Sequence, residues 1–383
     1  MTQVQPPIFV GVLAFVAVAT LTAVMRRVAV WGRLVADPRP GRIHTSATPY
    51  LGGVAIVIGT IGAVAAIAYP RTSQVVALII AALAVSVLGL IDDLRTLSPA
   101  IRLIVECAGA AALVATGVHI DAFAGTPVMG HWIDDVGTVV WIVVITNSFN
   151  LLDNTDGVAA AVAFVTSPVL AVLALRAGQA DLAVLLIALC AGCAGFLVHN
   201  WAPARIFMGD AGSLFIGFVI SAGAVLTCAS DSTEHVPIAV GASALLLMTF
   251  VAVVDTCTVM VSRLRAGRRW SEGGTDHVAH RLGLMGLSTS HTAIALALAT
   301  AVSAIMGLMV VSGVVPAGGS LAATLVAAAI LVTLSQAVDV YPRADNDSRD
   351  GQREVRRPPV PAGHGRIDSV VGERAVHSIG PVS

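Results

Sequence analysis

The sequence predicts an all-α polytopic membrane protein with about eleven transmembrane helices, its N-terminus outside and its C-terminus in the cytoplasm. Three observations carry that prediction. Of 383 residues, 56% are hydrophobic and 12% charged, and the mean hydropathy is +0.87; soluble domains carry about 25% charged residues. Long apolar runs recur along the chain, and a bilayer-crossing helix needs about 17–25 such residues. The arginines between those runs fall mostly on one side, as cytoplasmic loops require.

Taken in order, the runs are 8–25, 51–69, 74–91, 100–118, 136–149, 158–176, 181–198, 212–229, 236–255, 291–314 and 318–338. Residues 8–25 have no preceding cation and are followed at once by Arg26 and Arg27, the order of an uncleaved anchor rather than a signal peptide. Run 136–149 is short, but it leads directly into a polar motif. Omitting it would split the polar motifs between the two membrane faces. Parity then makes 26–50, 92–99, 150–157, 199–211 and 256–290 the inside loops. Arg26, Arg27, Arg33, Arg39 and Arg42 lie in the first, and Arg263, Arg265, Arg268, Arg269 and Arg281 in the last. The outside connections offer little beyond Arg71 and Arg176. Residues 1–340 thus read as one integral membrane domain with its active-site loops in the cytoplasm. Residues 341–383, rich in Pro, Gly, Arg and Asp without apolar periodicity, read as a disordered cytoplasmic tail.

A formal net charge of −1 excludes a generally basic nucleic-acid binder. All 22 cationic side chains are Arg, which removes Lys-based nucleophilic or Schiff-base chemistry. The five cysteines fall inside apolar runs or, for Cys257, directly beside one. Cys190 and Cys193 have redox spacing but lie mid-segment among small residues, which fits helix packing.

The inside loops hold the chemistry. A carboxylate at membrane depth costs several kcal/mol unless paired, hydrated or metal-bound, so acidic clusters facing one compartment suggest a shared site. Asp92 and Asp93 end the third run, where the helix dipole disfavours acids, so a nearby cation is expected. Asn147, Asn150, Asp153 and Asp156 recur every three residues, so one helical face can present amides and carboxylates together. Hard oxygen donors in that number suit Mg²⁺ or Mn²⁺. Asp210 stands between Gly209 and Gly212 at the start of a run, as an N-cap or as a site carboxylate. His277, His280 and Arg281 suit a diphosphate better than zinc, since no third soft ligand is near. Asp121, Asp134 and Asp135 are expected to be solvated outside, and Glu106 to pair with Arg102 four residues before it.

Together these strings resemble the polyprenyl-phosphate N-acetylhexosamine-1-phosphate transferase family. The likeness spans about residues 38–290, including Ile43-His44 through Gly53, Asp92-Asp93 with Leu97-Ser98-Pro99, and Asn200 through Ser213. It implies transfer of a sugar 1-phosphate from a UDP-sugar to a polyprenyl phosphate in the plasma membrane, with release of UMP and a need for Mg²⁺. The catalytic residues implied are Asp92, Asp93, Asp153 and Asp156, with the first two near the acceptor phosphate. Those for substrate binding are His44, Asn147, His277, His280 and Arg281, and those for the metal are Asn150 and Asp210. A homodimer is compatible with the sequence. Two departures stand out: Asn154-Thr155 interrupts the usual Asp-Gly-x-Asp-Gly, and Ala279 replaces a His in the His-x-His-His run.

UDP-GlcNAc is the donor this resemblance favours, for the first membrane step of a cell-envelope glycan. The MurNAc-pentapeptide reaction is the alternative, against the form of Asn200–Ser213. A secondary transporter would carry its charges near the bilayer midplane in repeated broken helices, whereas here they sit at run ends without a repeat. An inactive homologue is prompted by Ala279 and opposed by the retained acids.

Overall fold

The computed structural model describes residues 7–36, 48–67, 70–120, 129–228, 238–269 and 273–341. Contacts divide the chain into Met1–Val340 and Tyr341–Ser383; the helices below belong to the first unit. They are α1 (Pro7–Trp31), α2 (Gly52–Ile67), α3 (Ser73–Leu94), α4 (Pro99–Val114), α5 (Met129–Leu152), α6 (Val158–Arg176), α7 (Ala180–Asn200), α8 (Asp210–Cys228), α9 (Ile238–Met248), α10 (Phe250–Arg265), α11 (Val278–Leu284), α12 (Thr289–Val311) and α13 (Ala317–Ser335). Two-residue strands β1 (Val35–Ala36) and β2 (Thr48–Pro49) pair antiparallel between α1 and α2.

Among the described residues, eight helices are long and apolar enough to cross a membrane, and nine if α9 and α10 count as one span bent by 76°. Each of the eleven apolar runs corresponds to a helix or, for 236–255, to that broken pair. The shortfall from eleven lies in α2 and α4, with 16 residues each. At 1.5 Å per residue these are about 24 Å long, less than a core of about 30 Å. Helix α5 is longer than its apolar run because it starts at Met129. Asp134 therefore sits in a helix and is 3% exposed, not solvated; Asp121 lies outside the described residues. The five cysteines are unpaired thiols.

Helix α8 is the centre. Every residue from Ala211 to Thr227 is buried, and α2, α3, α5 and α6 pack around it. Helix α3 approaches at Gly89, where an added Cβ would lie 2.5 Å from the Asp210 carbonyl oxygen. No side chain fits there, so glycine lets the acidic end of α3 meet the start of α8. The segment before α8 is tied to the start of α2: Gly52 N–H donates to the Phe207 carbonyl at 3.0 Å and Gly53 N–H to Met208 at 2.8 Å. Asp210 thus projects from a main chain fixed on two sides.

Candidate active site

Helices α3 and α5 end, and α4, α6 and α8 begin, around one polar cluster. Ser98 and Pro99 start α4: the Ser98 hydroxyl accepts from Ile101 N–H, and Pro99 is preset for the first turn. One turn on, Arg102 turns back toward α3. Its Nη1 lies 2.8 Å from Asp92 Oδ2 and 3.1 Å from Asp210 Oδ2, while Nη2 donates to Asn150 Oδ1 at 3.0 Å. This is the cation that Asp92 requires. Asn150 Nδ2 donates to Asp210 Oδ1 at 2.8 Å and to Ser213 Oγ at 3.0 Å.

Asp93 takes a different role from its neighbour. Its two oxygens accept the main-chain N–H groups of Asp210 (2.9 Å) and Ala211 (3.1 Å). A carboxylate from α3 therefore caps the positive end of α8. Gly209 makes this possible: its φ is +75°, and an added Cβ would stand 2.7 Å from Asp93 Oδ2. The Asp92 side chain is 8% exposed and that of Asp210 is 28%, so Asp210 is the more accessible of the two.

The three-residue period of 147–156 does not form one face. Asn147 and Asn150 lie in α5, with Asp153 and Asp156 in the turn that follows. Asn147 donates to Glu106 and to the Val143 carbonyl. Asp156 is 7% exposed and accepts from Ala204 N–H at 2.9 Å. Asn200 links the same turn to the next loop, accepting from Gly157 N–H and donating to the Ile206 carbonyl, both at 2.9 Å. Asp153 faces the cluster. Burial, then the charges of Asp210, Asp93 and Asp156, push its carboxyl well above the usual range, partly offset by Gly209 N–H.

The expected Arg102–Glu106 pair is replaced. Arg102 is drawn to the carboxylates of α3 and α8, while Glu106, fully buried, accepts the Asn147 amide and keeps Oε1 unpartnered.

The 276–281 residues form a second cluster on α10, α11 and α13, and α10 packs on α5. Arg263 holds Asp276 through Nε (2.9 Å) and Nη2 (3.3 Å), both side chains buried. His277 Nδ1 lies 2.9 Å from Asp255 Oδ2, and Val278 N–H donates to Asp255 Oδ1 at 2.7 Å. Arg281 is 3% exposed. Its guanidinium donates to the carbonyls of Asp276, Ser335 and Val338 and to Ser262 Oγ, and so braces α11 against the end of α13. His280 stacks obliquely on His277 with ring centroids 5.7 Å apart. Burial, then His277, hold its imidazole down to about 4, and its Nδ1 is buried without a partner. Ala279 is 4% exposed within the apolar core, so in this chain position 279 supplies packing. His44 lies outside the described residues.

Arg102, Glu106 and Asp255 were missed as site residues. The signal was an ionisable residue inside an apolar run, by default a functional position. No group of three or more His, Cys, Asp or Glu among the described residues is arranged to hold a metal; the Arg102 guanidinium contacts both Asp92 and Asp210.

An acidic site at the junction of several helix ends, in a chain of apolar helices, defines a class, and its relatives identify it. Residues 75–228 match the model of glycosyl transferase family 4. A Bacillus subtilis (strain 168) protein named probable undecaprenyl-phosphate N-acetylglucosaminyl 1-phosphate transferase is 30% identical over 285 residues, 72% of this chain and 77% of that protein. The decaprenyl-phosphate N-acetylglucosaminephosphotransferase of Mycobacterium tuberculosis (strain H37Rv) is 28% identical, over 73% of this chain and 76% of its own. A phospho-N-acetylmuramoyl-pentapeptide-transferase of Rubrobacter xylanophilus is 29% identical, over 66% and 81%. The chain belongs to glycosyl transferase family 4 and is a multi-pass membrane protein.

Proposed function

We propose that the protein transfers N-acetylglucosamine 1-phosphate from UDP-GlcNAc to a polyprenyl phosphate, giving polyprenyl-diphosphate-GlcNAc and UMP, as the first membrane step of a cell-envelope glycan. The observation that carries this reading is the junction of Asp92, Asp210, Asn150 and Arg102 at the meeting of α3, α4, α5 and α8. The names of the relatives supply the substrate class. In this reading α2 and α4 also cross the membrane, giving eleven spans with the N-terminus outside and the site and C-terminus cytoplasmic.

Mg²⁺, with Mn²⁺ as a substitute, belongs to the proposal. The donor set fits in chemistry: a carboxylate from Asp210 and an amide from Asn150 meet at one junction. Asp210 and Asn150 would hold the ion, which when bound supplies positive charge to a diphosphate. Asp93 and Gly209 fix the direction of Asp210, and Arg102 offers a guanidinium to phosphate oxygens. A lipid-phosphate oxygen attacks the phosphorus attached to the sugar oxygen; the bond from that phosphorus to the bridging oxygen breaks, and UMP leaves. A phosphate monoester is largely ionised near neutral pH, so no side chain need remove its proton. Asp92, already bonded to Arg102 and Leu97 N–H, acts in this scheme as an orienting group.

Mass spectrometry of lipid extracts, after incubation of purified protein with undecaprenyl phosphate, Mg²⁺ and UDP-GlcNAc, tests the reading. A lipid-diphosphate-GlcNAc product is expected. Product only with UDP-MurNAc-pentapeptide would move the chain to the reaction named for the Rubrobacter relative.

A further inference from the structure

We infer that Asp255 is a positioning residue for the nucleotide-sugar site, setting the proton position and orientation of the His277 imidazole; the inference rests on the proposed transferase reading. Asp255 is a carboxylate on an otherwise apolar stretch of α10 and is 1% exposed. Such a group is costly to bury unless bonded, and here both oxygens are used: one toward His277 Nδ1 at 2.9 Å, the other for Val278 N–H at 2.7 Å. The main-chain bond alone would secure the start of α11. The second bond holds the ring.

Two consecutive residues are held from one helix. Asp276 is gripped by Arg263, two turns along α10 from Asp255, and His277 by Asp255 itself. The ring therefore cannot swing about its own backbone without breaking a buried bond. A carboxylate that accepts at Nδ1 places the proton on that nitrogen. Nε2 is left, with no bond to the protein among the described residues, as the atom available to a ligand. With the proton on Nδ1, Nε2 accepts a hydrogen bond, such as a hydroxyl of the nucleotide sugar supplies. Asparagine at 255 would reverse this: its oxygen can take Val278 N–H while its amide donates to Nδ1, moving the ring proton to Nε2.

The test is a double-mutant cycle with a spectroscopic arm, on full-length protein in lipid nanodiscs. Asp255→Asn should lower kcat/KM for UDP-GlcNAc on the order of 10–100-fold, by analogy with the range for carboxylates behind metal-ligating histidines, mainly through KM. It should add nothing in a His277→Ala background, and Asp255→Glu should recover part of the loss. Equal losses in both backgrounds would overturn the inference and leave Asp255 a fold residue. Independently, ¹⁵N spectra of histidine-labelled protein, assigned by the His277→Ala difference, should show neutral His277 protonated at Nδ1 in wild type and at Nε2 in Asp255→Asn. The same tautomer in both would overturn the inference even where turnover falls. A wild type that releases no UMP would defeat the transferase reading, while the spectra would still decide the role of Asp255.

Discussion

Asp93 accepts the main-chain N–H of Asp210 at 2.9 Å and that of Ala211 at 3.1 Å, so one site carboxylate holds the helix that carries another. Asp93→Ala removes the acceptor from two main-chain donors at the start of α8. A lost helix cap costs about 0.5–2 kcal/mol, which should appear as a lower unfolding midpoint. Turnover should fall much further than that stability loss, because Asp210 loses its fixed direction. Asp93→Asn, which retains one acceptor oxygen, should lie between Asp93→Ala and wild type in unfolding midpoint.

Arg102 joins Asp92, Asp210 and Asn150. Breaking a buried ion pair by removing one partner costs about 3–5 kcal/mol; with the Arg102 side chain 20% exposed, a smaller cost is expected here. Arg102→Gln should destabilise the protein without ligands, and part of that loss should return when Mg²⁺ is added. Unfolding midpoints with and without Mg²⁺ measure both. No Mg²⁺ effect in wild type or variant would remove the metal from the proposal.

Asp153 is held above its usual titration range by burial and by Asp210, Asp93 and Asp156. A carboxyl whose folded pKa is raised contributes stability that is fully present below about 3.8 and is lost as pH rises through the folded value. At neutral pH the unfolded chain gains more from ionising Asp153 than the folded chain does. Asp153→Asn should therefore raise the unfolding midpoint at pH 7 while abolishing turnover, and its stabilising effect should shrink toward pH 4. A variant less stable than wild type at pH 7 would contradict this.

His280 carries the opposite dependence. Its imidazole is held at about 4 against an ordinary 6.5, first by burial and then by His277. As pH falls from 6.5 toward 4, the unfolded chain takes up a proton that the folded chain resists, and stability is lost at up to about 1.4 kcal/mol per pH unit. His280→Gln should flatten that part of the profile. An unchanged acid limb in the variant would contradict the burial of His280.

Much of this arrangement was legible in the sequence. Parity, with the short run 136–149 counted as a span, grouped Asp92, Asp93, Asn150 and Asp210 on one face, and the structure joins those residues through Arg102 and the start of α8. Local pattern reached less far where long-range contacts decide. Arg102 and Glu106 are four apart on one helix, and pairing them is the local expectation. The carboxylates of α3 and α8, remote in sequence, attract the arginine instead, and Asn147 takes the glutamate. The three-residue period of Asn147 to Asp156 runs through the end of α5, so its members face four different partners. Arg281 is spent on carbonyls at the end of α13, a contact that no local pattern contains. Ala279, a departure from the family pattern, is explained by the core it packs into.

UMP release from purified protein given polyprenyl phosphate, Mg²⁺ and either UDP-GlcNAc or UDP-MurNAc-pentapeptide, with Asp210→Ala alongside, decides whether the Asp210 junction carries the transfer. Mg²⁺-dependent UMP release from UDP-GlcNAc is expected, falling at least about 100-fold in the variant, a loss typical of removing one charge-stabilising group. Folded wild-type protein that releases no UMP from UDP-GlcNAc, or an Asp210→Ala variant that turns over like wild type, would contradict it.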